Sequence, residues 1–303
     1  MLSRTRALQH TLAMLLGIAA TTALGAPPAG TLRVTATVYP IAYFAERIGG
    51  PAVAVGFPIP ADVDPPFWQP GIPDIIALQK ADLILLNGAD LEKWRARATL
   101  PQMKLVDTSA GFKGRLIVVD NAVTHSHGPG GQHTHSGTAY TTWLDLELAG
   151  QQADAAGQAM RRKRPTLATR FNTNLDALKT DLATLDRELK TIAAEKPGLP
   201  LLGSHPIYQY LARRYGLNLQ SVHWEPNEMP PETEWVALKQ LLARHPARTM
   251  IWEAEPSLAI AGRLVKLGVH SLVFNPCGNR PADGDFLSVM RTNVENLRTA
   301  YRH

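Results

Sequence analysis

The sequence predicts an α/β protein of two lobes with parallel sheets, joined by one long helix, with a ligand cleft between the lobes. Three observations carry this expectation. Apolar runs of strand length alternate with helical stretches in both halves of the chain, the pattern of parallel sheets covered by helices. Between the halves, Leu167, Phe171, Leu175, Leu178, Leu182, Leu185, Leu189 and Ile192 recur at spacings of three and four, forming one apolar stripe on a long helix. Finally, 303 residues with 45% apolar and 19% charged types are globular in composition and long enough for about two domains.

Residues 1–25 read as a signal peptide. Arg4 and Arg6 precede an apolar run, Thr11–Leu24, and Ala23 and Gly25 supply small residues for a cleavage site. The run is shorter than the roughly 20 residues of a spanning helix, so the chain is expected to be exported. An N-terminal lobe follows over 26–160. Leu32–Val38 is its first strand, Ile41–Ile48 a helix, and Val53–Ile59 a second apolar run. Asp62–Pro73 is proline-rich and irregular, Asp74–Lys80 is helical, and Leu83–Asn87 is a buried strand. Leu105–Val106 and Leu116–Val119 are two more short strands. Between 123 and 141 the chain turns to Gly, His, Ser and Thr with no apolar face, which predicts a mobile His-rich loop. A helix resumes from Leu144 to about Met160. The connecting segment, 161–197, holds the long helix from Pro165 to Lys196, which Pro197-Gly198 terminates. The C-terminal lobe, 198–303, opens with Leu199–Gly203. It continues with a helix at Ile207–Tyr215, strands at Leu219–Val222, Met250–Trp252 and Ser271–Phe274, and helices between.

The formal charge is +5, but without Arg4 and Arg6 only 29 Lys and Arg stand against 26 Asp and Glu. That balance gives no basic footprint for nucleic acid. The single cysteine, Cys277, excludes an internal disulfide and a thiolate zinc cluster and is expected to be buried. No nucleophile elbow, phosphate loop or dinucleotide fingerprint is present. No catalytic residue is assigned, and the chain is not read as an enzyme.

The chemistry lies in histidines, carboxylates and indoles. His125, His127, His133 and His135 form two H-x-H pairs able to present neutral imidazoles to Zn, Cu or Ni. His205, in GSHPIYQYLARRYG, follows a predicted strand and precedes a helix, a position from which a side chain can point into a cleft. Glu253 and Glu255, in MIWEAEPS, also follow a strand. They lack a matched nucleophile for acid–base work. His223, beside Trp224 and Glu225, reads as an ordinary packed or surface residue, as do His245 and His270. Trp68, Trp143, Trp224 and Trp252 fall near strand ends or loops. They either pack in the core or line a pocket for a cationic or organic ligand.

Several ordered motifs resemble the cluster A-I periplasmic solute-binding proteins, the zinc/manganese receptors of ABC importers. TVYPIAYFAERIGG is similar to the opening strand and helix of that family. DVDPPFWQPGIPDIIALQKADLILLNGADLEKW resembles its D-P-H-x-x-x-P segment, and the His-rich loop followed by TTWLDLELA resembles its loop and H-x-W-L-D-P. GSHPIYQYLARRYGL is similar to the third block, and IWEAEPS with FNPCG to the last. The resemblance covers nearly all of the chain after the signal peptide. It implies two lobes joined by a rigid helix and a monomer that passes a divalent metal, zinc first, to a membrane permease in the periplasm.

The family holds its metal with three histidines and one carboxylate. On this chain the corresponding positions are Pro66, Thr141, His205 and Asn275, so the resemblance keeps one ligand of four. Proline offers no side-chain donor, and threonine and asparagine are poor zinc ligands. Three arrangements stay open. His205 is joined by Glu253, Asp64, Glu225 or a loop imidazole, in a rebuilt site. Or the cleft takes a metal chelate or small organic ligand against the tryptophans, with Asn275 and Thr141 as hydrogen-bonding groups. Or only the His-rich loop binds metal, as a buffer.

Overall fold

The computed structural model describes residues 30–119, 124–126, 132–134 and 137–302. The expected signal peptide, His127 and His135 lie outside the described residues. In chain order the first lobe comprises β1 (Leu32–Ala36), α1 (Tyr39–Gly49), β2 (Val53–Gly56), α2 (Ile72–Lys80), β3 (Leu83–Leu86) and β4 (Leu105–Asp107). Then come β5 (Val118–Val119), β6 (Thr124–Ser126), β7 (Gln132–Thr134), β8 (Gly137–Thr138) and α3 (Leu146–Lys163). The connecting helix is α4 (Ala168–Glu195). The second lobe contains β9 (Pro200–Gly203), α5 (Gln209–Tyr215), β10 (Asn218–Ser221), α6 (Glu232–Arg244), β11 (Thr249–Trp252), α7 (Leu258–Val265), β12 (His270–Val273) and α8 (Phe286–Arg302).

Each lobe carries a four-stranded parallel sheet, in the orders β2-β1-β3-β4 and β10-β9-β11-β12. Taken in order of appearance the two sheets have one topology, so the lobes are alike in wiring as well as in class. Central β3 (LILL) is buried along its whole length, as expected for a strand covered on both faces. Two sequence expectations change. Leu116–Val119 does not join the sheet: Val118–Val119 pairs antiparallel with Gly137–Thr138 instead. Within the His-rich segment, β6 and β7 form an antiparallel ladder that sets His125 opposite His133.

The long helix starts later than predicted. Pro165 lacks an N–H and opens a 3-10 turn over Pro165–Leu167, after which α4 runs unbroken for 28 residues, about 42 Å. Its stripe is buried from Phe171 to Ile192. Before it, α3 begins at Asp145, whose carboxylate accepts from the Glu147 and Leu148 N–H groups. One apolar core runs through both lobes, joining β1, α1, α3, α4 and α8 to Leu201, Ile251 and Leu272 of the second sheet.

The lobes are also stitched by hydrogen bonds. The Thr141 hydroxyl donates to the Ile207 carbonyl at 2.5 Å, and the Trp143 indole N–H to the Pro276 carbonyl at 2.7 Å. The Tyr39 N–H donates to the Gly278 carbonyl at 2.9 Å.

Candidate metal centre

Three neighbouring strands of the second sheet end at one place. His205 follows β9, Glu225 follows β10 and Glu253 follows β11. In a parallel sheet the carboxyl ends all face one side, where side chains beyond the strands converge. The segments after the strands are held in register. The Ser204 N–H donates to the Ile251 carbonyl at 2.8 Å, and the Trp224 N–H to the Ser204 carbonyl at 2.7 Å. As a result one donor atom from each of His205, Glu225 and Glu253 lies within 4.8 Å of the others, the one such group of three or more His, Cys, Asp or Glu among the described residues.

These residues line a cleft of about 1120 Å³ between the lobes. Its opposite wall comes from the first lobe and includes Asp64, Pro66, Tyr140, Thr141 and Trp143. Asp64 sits at the entry of a 3-10 turn, Pro65–Phe67, with its carbonyl accepting from the Phe67 N–H at 2.9 Å. The proline-rich sequence explains the irregular backbone, because Pro65 and Pro66 cannot donate to a ladder.

Asp64 borders the same cleft as the cluster, and the charges of the four groups act on one another across it. Enclosure pushes the Asp64 carboxyl up to about 7, the charge of Glu253 adds to this, His205 opposes it and Glu225 adds a little. Asp64 is nevertheless exposed to water, so much of this field is screened. Glu253 is raised by burial, lowered by His205 and raised by Glu225. His205 is only 6% exposed. Burial favours its neutral form, but the Glu225 hydrogen bond and the charges of Glu253, Glu225 and Asp64 outweigh this and leave it above its usual value. The Tyr140 hydroxyl is raised well above its usual value by burial and by Asp64, Glu253 and Glu225, so it stays neutral beside them.

His205 Nδ1 lies 3.2 Å from Glu225 Oε1. A carboxylate on Nδ1 makes that nitrogen the protonated one and leaves the Nε2 lone pair for a cation. Three acids facing one imidazole form a field that only protons or a cation can relieve. The donor set is one borderline nitrogen with carboxylate oxygens, suited to a divalent metal ion.

The structure places the other sequence candidates differently. Thr141 and Asn275 line the cleft, with the Thr141 hydroxyl and the Asn275 side-chain oxygen hydrogen-bonded to backbone groups. Thr141 bridges to Ile207, and Asn275 Oδ1 accepts from the Cys277 N–H at 2.7 Å. Asn275 is held further by Asn293, whose Oδ1 accepts its N–H and whose Nδ2 donates to its carbonyl. The aromatic-lined pocket is not formed by the four indoles. Trp68 packs edge-on against Trp94, while Trp224, Trp235 and Trp252 share a core in the second lobe. Of the four, only Trp143 borders the cleft, and it is 1% exposed. His245 contacts the Leu201 carbonyl at 2.9 Å, as a packed histidine does. Tyr140 is not singled out by the sequence. Glu225 is named there as one of several possible partners of His205, and what selects it is strand order in the sheet, which the sequence does not show.

Residues 34–300 match the family of the periplasmic zinc-uptake complex component A, ZnuA. The chain belongs to that family. Among its relatives is the zinc-binding protein AdcA of Streptococcus pyogenes serotype M3, 23% identical over 288 residues, covering 89% of this chain. The chain spans about half of that protein's length, 56%. The high-affinity zinc uptake system protein ZnuA of Bacillus subtilis is 24% identical over 277 residues, covering 88% of this chain and 86% of the relative. The fold matches the crystal structure of the metal-dependent lipoprotein YcdH from Bacillus subtilis with a TM-score of 0.76 at 22% identity, covering 89% and 98% of the two chains. The ZnuA-family fold is thus the two-lobed arrangement read from the sequence. No helix among the described residues is long and apolar enough to cross a membrane.

Proposed function

We propose that the protein is an exported receptor that captures a divalent metal ion, zinc first, and delivers it to the permease of an ABC importer. The observation that carries this reading is the convergence of His205, Glu225 and Glu253 at the carboxyl ends of three adjacent strands, facing Asp64 across the cleft. His205 Nε2 supplies the nitrogen donor. Glu253 and Asp64 supply oxygen donors, and Glu225 either orients the imidazole through Nδ1 or turns an oxygen to the ion. The names of the relatives support the cargo, and the family name supports a periplasmic location. The protein performs no covalent chemistry on its ligand, acts as a monomer and binds no nucleic acid. The metal is its cargo, and the change it undergoes is gain and loss of protons by the donor groups.

Calorimetry with zinc tests the reading on two proteins, the full chain and one lacking residues 125–135, a deletion that leaves Tyr140 and Thr141 of the cleft wall in place. Micromolar or tighter binding that survives the deletion and is lost in His205→Ala supports the cleft site. Absence of zinc heat in the full chain rejects the receptor. Binding that disappears with the deletion moves the metal to the His-rich segment.

A further inference from the structure

The turn carrying Asp64 has few backbone hydrogen bonds to hold it in place. It runs through Pro60, Asp62, Val63, Pro65 and Pro66, and its own backbone bond before Asp64 is from the Val63 N–H to the Pro60 carbonyl at 3.1 Å. A chain this rich in proline lacks the N–H groups that would anchor it to a sheet. An outside group is needed to fix the carboxylate against the other three.

That group comes from the opposite lobe. Asn279 lies between β12 and α8, at the rim of the cleft. Its Nδ2 donates to the Pro60 carbonyl at 2.6 Å and to the Val63 carbonyl at 2.8 Å. Its Oδ1 accepts from the Arg280 N–H at 2.7 Å, which sets which way the amide faces. Both amide hydrogens are therefore aimed at the turn. The Val63 carbonyl belongs to the peptide bond joining Val63 to Asp64, so the second bond fixes the plane from which the Asp64 side chain departs.

The segment that carries Asn279 is itself fastened to the first lobe. The Pro276 carbonyl takes the Trp143 indole N–H, and the Gly278 carbonyl takes the Tyr39 N–H. Arg280 pairs with Glu46 at 2.8 Å and lies over the Tyr39 ring, 4.8 Å from its centroid. Asn279 is thus held by neighbours on both sides while it reaches the turn.

We propose that Asn279 is a positioning residue for metal capture: it clamps the Pro60–Val63 turn from across the cleft and so sets where the Asp64 carboxylate stands relative to His205 and Glu253. This rests on the metal-receptor reading above. Groups that orient a ligand without touching the ion typically change affinity by about 10- to 100-fold when removed.

The test is a double-mutant cycle in zinc affinity, with a chelator competition for tight binding. Asn279→Ala removes the amide, and Asn279→Leu removes its hydrogen bonds at similar size. Circular dichroism and thermal melts establish that each variant is folded. Both are expected to bind zinc about tenfold more weakly than the parent. In an Asp64→Asn background the same substitutions are expected to change affinity by less than about twofold, because Asn279 acts through a carboxylate that is no longer there. Parent-like zinc affinity in folded Asn279→Ala and Asn279→Leu overturns the clamp. So does an undiminished loss in the Asp64→Asn background, which marks a general structural role. A parent chain that gives no zinc binding refutes the receptor reading itself, and the clamp falls with it.

Discussion

Replacing Glu253 by glutamine should weaken the metal complex and strengthen the metal-free protein, and the two effects have one origin. Glu253 and Glu225 hold donor atoms within 4.8 Å of each other. Full charges at that separation, in an effective dielectric of about 20, repel by about 3.5 kcal/mol. Partial protonation, His205 and the water of the cleft offset most of this, leaving about 1 kcal/mol at pH 8. Burial, with the charge of Glu225, holds the folded pKa of Glu253 above its ordinary value. The stability that its protonated form contributes is therefore complete below about pH 4.5 and is lost as pH rises through the folded value. The glutamine variant escapes that loss, so its advantage appears at pH 8 and fades at pH 5. Zinc binding moves the other way, because a charged oxygen donor is gone. A loss of about 2–4 kcal/mol, or roughly 30- to 1000-fold, is expected. Urea melts of the metal-free proteins at the two pH values, with zinc affinity from chelator competition, provide both readouts. Unchanged zinc affinity, or a variant less stable than the parent at pH 8, would refute the cluster as described.

Other expectations follow from the same geometry. Zinc affinity should climb between about pH 6 and pH 8, since His205 sits above its usual value and Asp64 at about 7, and both must lose protons to bind. Calorimetry in buffers of different ionisation enthalpy measures the protons released, and Asp64→Asn should reduce their number near pH 7. Thr141→Val should cost about 1–3 kcal/mol by stranding the Ile207 carbonyl, read as a lower melting temperature, with zinc affinity unchanged if the residue is a clasp between lobes. Arg214→Leu should destabilise by about 3 kcal/mol in a denaturant melt. It removes two hydrogen bonds from Asp186, a carboxylate 8% exposed that keeps only Tyr215 and Lys190.

The fold was legible because its signals are local. The stripe from Phe171 to Ile192 and the apolar strand Leu83–Leu86 announce themselves through periodicity and run length. His205 was legible too, as a histidine directly after a strand. Its partners were less so, because they are brought to it by strand order. Glu225 and Glu253 are separated from it by 20 and 48 positions in the sequence, and only the order β10-β9-β11 makes them neighbours. Thr141 and Asn275 hold positions given by the family pattern. In this chain the hydroxyl and the amide oxygen there meet backbone partners, Ile207 and Cys277. For the indoles the sequence leaves core and pocket open, because adjacency to a strand end says nothing about which face a ring turns to, and Trp68, Trp143, Trp224 and Trp252 are all buried.

The uninterrupted core that α4 carries from one sheet to the other has a consequence for how the molecule comes apart. Two-lobed architecture invites the idea of two independent melting events, yet beside a smaller apolar cluster of its own each half shares its main greasy interior with the other. A chain severed ahead of α4 would leave one fragment stripped of its backing and the other displaying a bare strip of leucines. Heating the intact protein should instead produce one calorimetric peak, and proteases should find few partly opened forms to attack.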